Sequence, residues 1–176
     1  MTLVRTVSFT AARDMDEAAR EGVVTNVLTA HVPHADRYLT GACIGGDAFI
    51  GRWLYVNRPD AEHAVIVPAD RSRVDPWWLE AKGPPVTLIE MPPGTTYADR
   101  NARLVGEANA VFGFPAYPEA DSRSLRSGTW QAVRMARKVG NLSQWHCVKP
   151  PYRGLIEQWP VGLLGDSGLA EDPSCE

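Results

Sequence analysis

Cysteine is scarce in this 176-residue chain, and the three present, Cys43, Cys147 and Cys175, show no CxxC pair or other metal-ligand spacing. An odd, scattered set argues against a disulfide framework and predicts reduced thiols in a cytoplasm. The four histidines are equally dispersed. The nearest pair, His31 and His34, flanks Pro33 and lacks further ligands, so it reads as a polar loop, and no metal site is expected. Long apolar runs are missing as well: none approaches the roughly 20 residues of a membrane span. The N-terminus lacks the basic, apolar and small-residue segments of a signal peptide, which again predicts a cytoplasmic protein without membrane partners. Positive charge is not in excess, since 18 Lys and Arg face 21 Asp and Glu for a net charge of −3. Broad binding to DNA or RNA needs a basic face and is not expected, whereas one small phosphorylated ligand is compatible with this balance. There is no internal repeat, no GxGxxG fingerprint, and no lysine of the kind that follows a P-loop.

What remains is an ordinary globular composition, with 44% apolar and 22% charged residues, long enough for one domain with a full core. Short β-prone runs alternate with helical patterns along the chain. Thr6–Thr10 predicts a strand, and Asp14 or Asp16 can cap a following helix that places Val23, Val24, Val27 and Leu28 on one face, with Pro33 as its stop. Arg37–Thr40 predicts a second strand running into Gly41-Ala42-Cys43-Ile44-Gly45-Gly46-Asp47, then a helix carrying Phe49, Ile50, Trp53 and Leu54. The apolar runs Ala64–Val67 and Val86–Ile89 predict strands buried on both faces. Between them, Pro76 opens a short helix with Trp77, Trp78 and Leu79. A helix over 97–107 turns Leu104 and Val105 inward, and Ala110–Phe114 predicts the next strand.

The arginine-rich stretch 118–127 reads as a mobile loop. Ser127-Gly128-Thr129 then opens a helix that buries Trp130, Val133 and Ala136, exposes Arg134, Arg137 and Lys138, and ends at Gly140. Leu142–Val148 predicts a last strand. The domain is expected to span 1–150, followed by a tail over 151–176 that carries Leu155, Ile156, Trp159 and Leu163 and ends in an acidic, disordered segment. The tail can dock on its own domain or on a second copy, so a homodimer is one expected assembly. Alternation of strand and helix predicts an α/β, Rossmann-like parallel sheet with helices on both faces.

In such sheets ligands bind at the carboxyl ends of the strands, where strand order reverses. That rule selects the loops after Thr10, Thr40, Pro68, Met91 and Phe114 and the segment before Thr129. Gly41, Gly45 and Gly46 permit a tight turn and close approach to a ligand, and the helix starting near Asp47 points free N–H groups at it. A tight turn with Asp47 as a helix cap is the plainer reading of the same residues. Arg100 can grip a phosphate bidentately and Asn101 can bond a base, a ribose or loop backbone, or both can be a solvated and a locally bonded side chain. Ser127, Gly128 and Thr129 suit an anion at a helix start, or form an ordinary N-cap.

Taken in order, Thr10-Ala11-Ala12-Arg13, Thr40-Gly41…Gly46-Asp47, Val67-Pro68-Ala69-Asp70, Arg100-Asn101, Ala108–Val111 with Phe114-Pro115, and Gly128-Thr129 with Ala136–Gly140 resemble the SLOG Rossmannoid superfamily. That group includes the domains of DNA-processing protein A and the LOG phosphoribohydrolases, and the likeness covers roughly residues 6–150. It implies a site for a nucleotide or phosphorylated nucleotide derivative, with no further cofactor. The ligand-binding residues it implies are Thr10, Ala11, Arg13, Gly41, Gly45, Gly46, Asp47, Pro68, Arg100, Asn101, Pro115, Ser127, Gly128, Thr129 and Gln131. Two positions depart from the family pattern. Ala11-Ala12 stands where glycine and serine are usual, and Gln131 stands where the LOG enzymes and the similar nucleoside deoxyribosyltransferases carry a glutamate. An amide cannot serve as a carboxylate nucleophile or base, which favours a sensor or binding protein over an enzyme. An N-glycosidic-bond enzyme would need another carboxylate, Asp47 first, then Glu90, Glu107 or Asp70. A third expectation is an interaction module with a vestigial pocket, in which Trp77, Trp78, Trp145 and Trp159 form an aromatic surface, core packing being the plainer role for most of them.

Overall fold

The computed structural model describes residues 5–80 and 86–153, together with the backbone of 156–159. Six parallel strands and one antiparallel strand form a single sheet in the order β4-β3-β2-β1-β5-β6-β7. The strands are β1 (Thr6–Ala11), β2 (Arg37–Gly41), β3 (Glu62–Val67), β4 (Val86–Glu90), β5 (Ala110–Phe114), β6 (Leu142–His146) and β7 (Ile156–Trp159). The α/β, Rossmann-like architecture expected from the alternation is what forms. From β1 the chain steps outward through β2, β3 and β4, then returns to lay β5 on the other side of β1. Strand order therefore reverses between β1 and β5, and a crevice opens there at the carboxyl edge.

Side-chain alternation along the strands feeds two cores. Phe9, Tyr38 and Phe112 pack together on one face under Leu28, Ile50 and Leu54. These come from α3 (Gly46–Asn57) and from a helix in which α1 (Glu17–Ala19) continues through a π-helical turn, Arg20–Val24, into α2 (Thr25–Ala30). The opposite face carries α5 (Tyr97–Gly106) and α6 (Gly128–Lys138). There Leu104 packs on Leu39, Ala64 and Ile66, while Ala132 and Ala136 pack on Val111. The short α4 (Pro76–Glu80) seats Trp78 against Val65 and Val67. No helix among the described residues is long and apolar enough to cross a membrane.

Several expectations are corrected. The run 86–89 does not form a strand buried on both faces: β4 is the outermost strand, and Thr87, Leu88 and Glu90 are exposed. Its β-branched and aliphatic residues reflect strand propensity, which does not require burial. Nor is the domain closed at residue 150, because Ile156–Trp159 adds an antiparallel strand beside β6. The stretch 118–127 is tied down, since the buried Ser124 hydroxyl donates to the Pro118 carbonyl at 2.8 Å. Arg134 and Arg137 are half-buried instead of exposed, because Glu119 accepts from both at 2.7 Å. Trp78 and Trp145 belong to the core and Trp77 is half-buried, so these three do not make an open aromatic surface. The side chain of Trp159, together with Leu155, Leu163, Cys175 and the acidic end, lies outside the described residues.

Candidate functional site

A cavity of about 500 Å³ lies at the carboxyl edge, over the reversal point between β1 and β5. The end of β1 supplies Thr10 and Ala11 and the loop after it Arg13 and Asp14, while the loop after β2 supplies Cys43 and Ile44 and the start of α3 supplies Asp47. Across the opening stand Arg100 and Asn101 of α5 and Ser127, Gly128, Thr129 and Gln131 at the start of α6. Arg73, Tyr97, Arg126 and Lys149 complete the polar wall.

The glycines of the second loop do not face this space. Gly45 holds φ at +93°, and a Cβ there would overlap the Arg13 carbonyl. At Gly46 a Cβ would strike the Ala12 carbonyl and the Ala11 side chain, and Gly46 N–H donates to that carbonyl at 3.3 Å. Gly41 lies directly against the Arg100 guanidinium and the Asp47 carboxylate. All three are missing from the cavity wall because they let the first two loops and α5 approach one another. Pro68 and Pro115 are buried outside the wall as well.

Asp47 is neither a helix cap nor a solvent-facing carboxylate. Its Oδ1 accepts from Ala11 N–H at 2.9 Å, and its Oδ2 faces Arg100 Nη1 at 3.3 Å. Burial pushes its carboxyl above the usual range, against the pull of Arg100 and the Ala11 N–H. Arg100 is 6% exposed and also reaches Cys43 Sγ from Nη2 at 3.7 Å, so it is no solvated arginine. Burial and the nearby Asp47 charge raise the Cys43 thiol, which keeps it protonated and unreactive.

Asn101, 2% exposed, joins α5 to α6 by donating to the Gly128 carbonyl and to Gln131 Oε1, both at 3.1 Å. Gln131 lines the cavity with its oxygen engaged by Asn101, and an amide nitrogen carries donors where a glutamate would carry an acceptor. Ser127 caps α6 by accepting from Trp130 N–H at 3.3 Å. Gly128 and Thr129 lie in the first turn, where N–H groups have no acceptor within the helix. An anion at the mouth of α6 would meet both, at the positive end of the helix dipole.

Five cationic side chains line the cavity (Arg13, Arg73, Arg100, Arg126 and Lys149) against two carboxylates, Asp14 and Asp47. Asp47 matches Arg100, and Asp14 pairs with Lys149, whose ammonium it holds above the usual range by hydrogen bonding. Among the described residues no carboxylate pairs with Arg13, Arg73 or Arg126. Arg73 instead lies over the Tyr97 ring, 5.7 Å from its centroid.

The other carboxylates considered as catalytic are elsewhere. Glu90 pairs with Arg71 on the surface, Glu107 bonds Arg37 and Arg103, and Asp70 caps the 3-10 turn Arg71–Arg73. Of the residues missed from sequence, Arg73 and Arg126 lie on segments that the carboxyl-end rule already selects, Lys149 follows β6, which was not selected, and only their charge marks them. Among the described residues no cluster of three His, Cys, Asp or Glu side chains can hold a metal ion. Comparison with protein-family profiles, with curated proteins and with solved structures finds no match to this chain.

Proposed function

We propose that the cavity binds a nucleotide or another phosphorylated nucleotide derivative, and that the chain acts as a binding or sensing protein. The observation that carries this reading is the set of three arginines, Arg13, Arg73 and Arg126, lining one cavity with no carboxylate ion-paired to them among the described residues. Guanidinium groups held beside a helix N-terminus are the usual recognition chemistry for phosphoryl oxygens. Tyr97 and Ile44 supply apolar surface for a base or sugar on the same wall. The resemblance to the SLOG superfamily points the same way, since Thr10 to Arg13, Asp47, Arg100-Asn101 and Gly128-Thr129 all belong to this wall.

Binding is favoured over turnover by the state of the two groups that would have to react. Gln131 offers donors in place of a carboxylate, and both oxygens of Asp47 are engaged within the protein. Isothermal titration with a panel of mono-, di- and cyclic nucleotides and ADP-ribose tests the reading. Binding that weakens by about ten-fold or more in Arg13→Gln and Arg126→Gln is expected, without release of free base on prolonged incubation. Absence of binding at millimolar ligand would overturn the nucleotide assignment. Base release abolished by Asp47→Asn would overturn the binding-only assignment.

A further inference from the structure

We infer that the ligand of this cavity carries at least two phosphoryl groups, so that a nucleotide bearing a diphosphate is preferred to a nucleoside monophosphate. The inference rests on the phosphate-ligand reading above and adds a count of charges and their placement. Once Asp47 is paired with Arg100 and Asp14 with Lys149, the three remaining arginines have no ion-pair partner among the described residues, and Asp70 and Asp47 act on Arg73 and Arg13 only at longer range. One terminal phosphate brings only about −1.5 to −2 at neutral pH.

The arginines are also set apart along the sheet edge. Arg126 directly precedes the α6 cap at Ser127, so it serves the same place as the Gly128 and Thr129 N–H groups. Arg73 stands on the other side, because Ile44 N–H in the loop after β2 donates to its carbonyl at 2.9 Å. Arg13 belongs to the loop after β1, and β1 lies between β2 and β5 in the sheet. Neighbouring strands are about 4.8 Å apart, so the β2 and β5 edges are separated by roughly 10 Å. One phosphoryl group at the mouth of α6 with Arg126 leaves Arg73 for a second group, with Arg13 between them.

The test compares orthophosphate with pyrophosphate, AMP with ADP, and GMP with GDP, by titration of the full chain in metal-free buffer. The expected result is an advantage of about ten-fold or more for the diphosphate member of each pair. Arg73→Gln should weaken the diphosphate member of each pair more than the monophosphate member and so remove most of that advantage. Equal affinity for the two members of every pair overturns the inference and leaves the nucleotide reading standing if AMP or GMP binds. So does an Arg73→Gln variant that weakens mono- and diphosphate alike. Pyrophosphate bound tightly with no nucleotide bound supports the two-phosphoryl site and overturns the nucleotide reading. No binding by any of the six probes overturns both.

Discussion

Asp47 Oδ2 faces Arg100 Nη1 at 3.3 Å, in a place where both side chains are almost wholly buried. The pair joins α3 to α5, and through Asp47 Oδ1 it also holds the Ala11 N–H at the end of β1. Removing one member of a buried pair leaves the other charge without compensation. Asp47→Asn preserves shape and an acceptor for Ala11, so its cost isolates the Arg100 charge, and a loss of about 3 kcal/mol is expected. The double variant Asp47→Asn with Arg100→Met should recover part of that loss. Urea unfolding of the two single variants and the double variant measures the coupling, and additive losses would contradict the pairing.

Gly45 and Gly94 both hold positive φ, at +93° and +84°, yet their surroundings differ. A Cβ on Gly94 meets nothing within 4 Å, whereas one on Gly45 overlaps the Arg13 carbonyl. Gly94→Ala should therefore cost only the backbone strain, about 1 kcal/mol. Gly45→Ala should cost more than about 2 kcal/mol, because the first loop must also move. If thermal unfolding shows equal losses, the tight packing of the two loops is not what selects glycine at 45.

How much was legible beforehand differs from element to element. The strand runs around Phe9, Tyr38, Ile66 and Phe112 are apolar and bounded by turn residues, so the parallel architecture followed from pattern alone. Edge position did not, since Val86–Glu90 has the composition of an inner strand and only the pairing partners reveal which side is bare. The site was half visible for a similar reason. The carboxyl-end rule selects loops, and it brought Thr10, Arg100, Asn101 and Ser127 to Thr129 onto the wall. It cannot tell a glycine that faces a ligand from one packed inside the protein: Gly45 and Gly46 lie against the first loop, and Gly41 against the Arg100 and Asp47 side chains. Arg73 and Lys149 were missed because an isolated cation in a loop carries no local pattern.

Gln131 is the position at which charge can be reversed with little structural change. Its Oε1 accepts from Asn101, and a glutamate oxygen can accept the same hydrogen bond. Gln131→Glu should leave stability within about 0.5 kcal/mol of the parent. The new carboxylate would face the arginines and repel phosphoryl oxygens, so affinity for a phosphorylated ligand should fall by about ten-fold or more. Titration calorimetry beside thermal unfolding separates the two effects. Unchanged affinity would place the ligand away from the mouth of α6.

His146 gives the fold a specific acid sensitivity. It is fully buried on β6, stacked on Phe114 at 5.8 Å, with neither ring nitrogen hydrogen-bonded to any of the described residues. Burial, with a smaller push from His31, lowers its pKa from 6.5 to about 4. The unfolded chain therefore binds a proton that the folded chain refuses between those two values. By linkage, the contribution of His146 is fully present above pH 6.5 and is lost as pH falls through about 4. A shift of that size corresponds to about 3 kcal/mol. His146→Phe keeps an aromatic ring beside Phe114 and removes the titration. Urea midpoints measured from neutral pH down towards pH 4 should fall more steeply for the parent than for the variant. Parallel curves would mean that the imidazole is solvated, and that its burial does not set the acid limit of the fold.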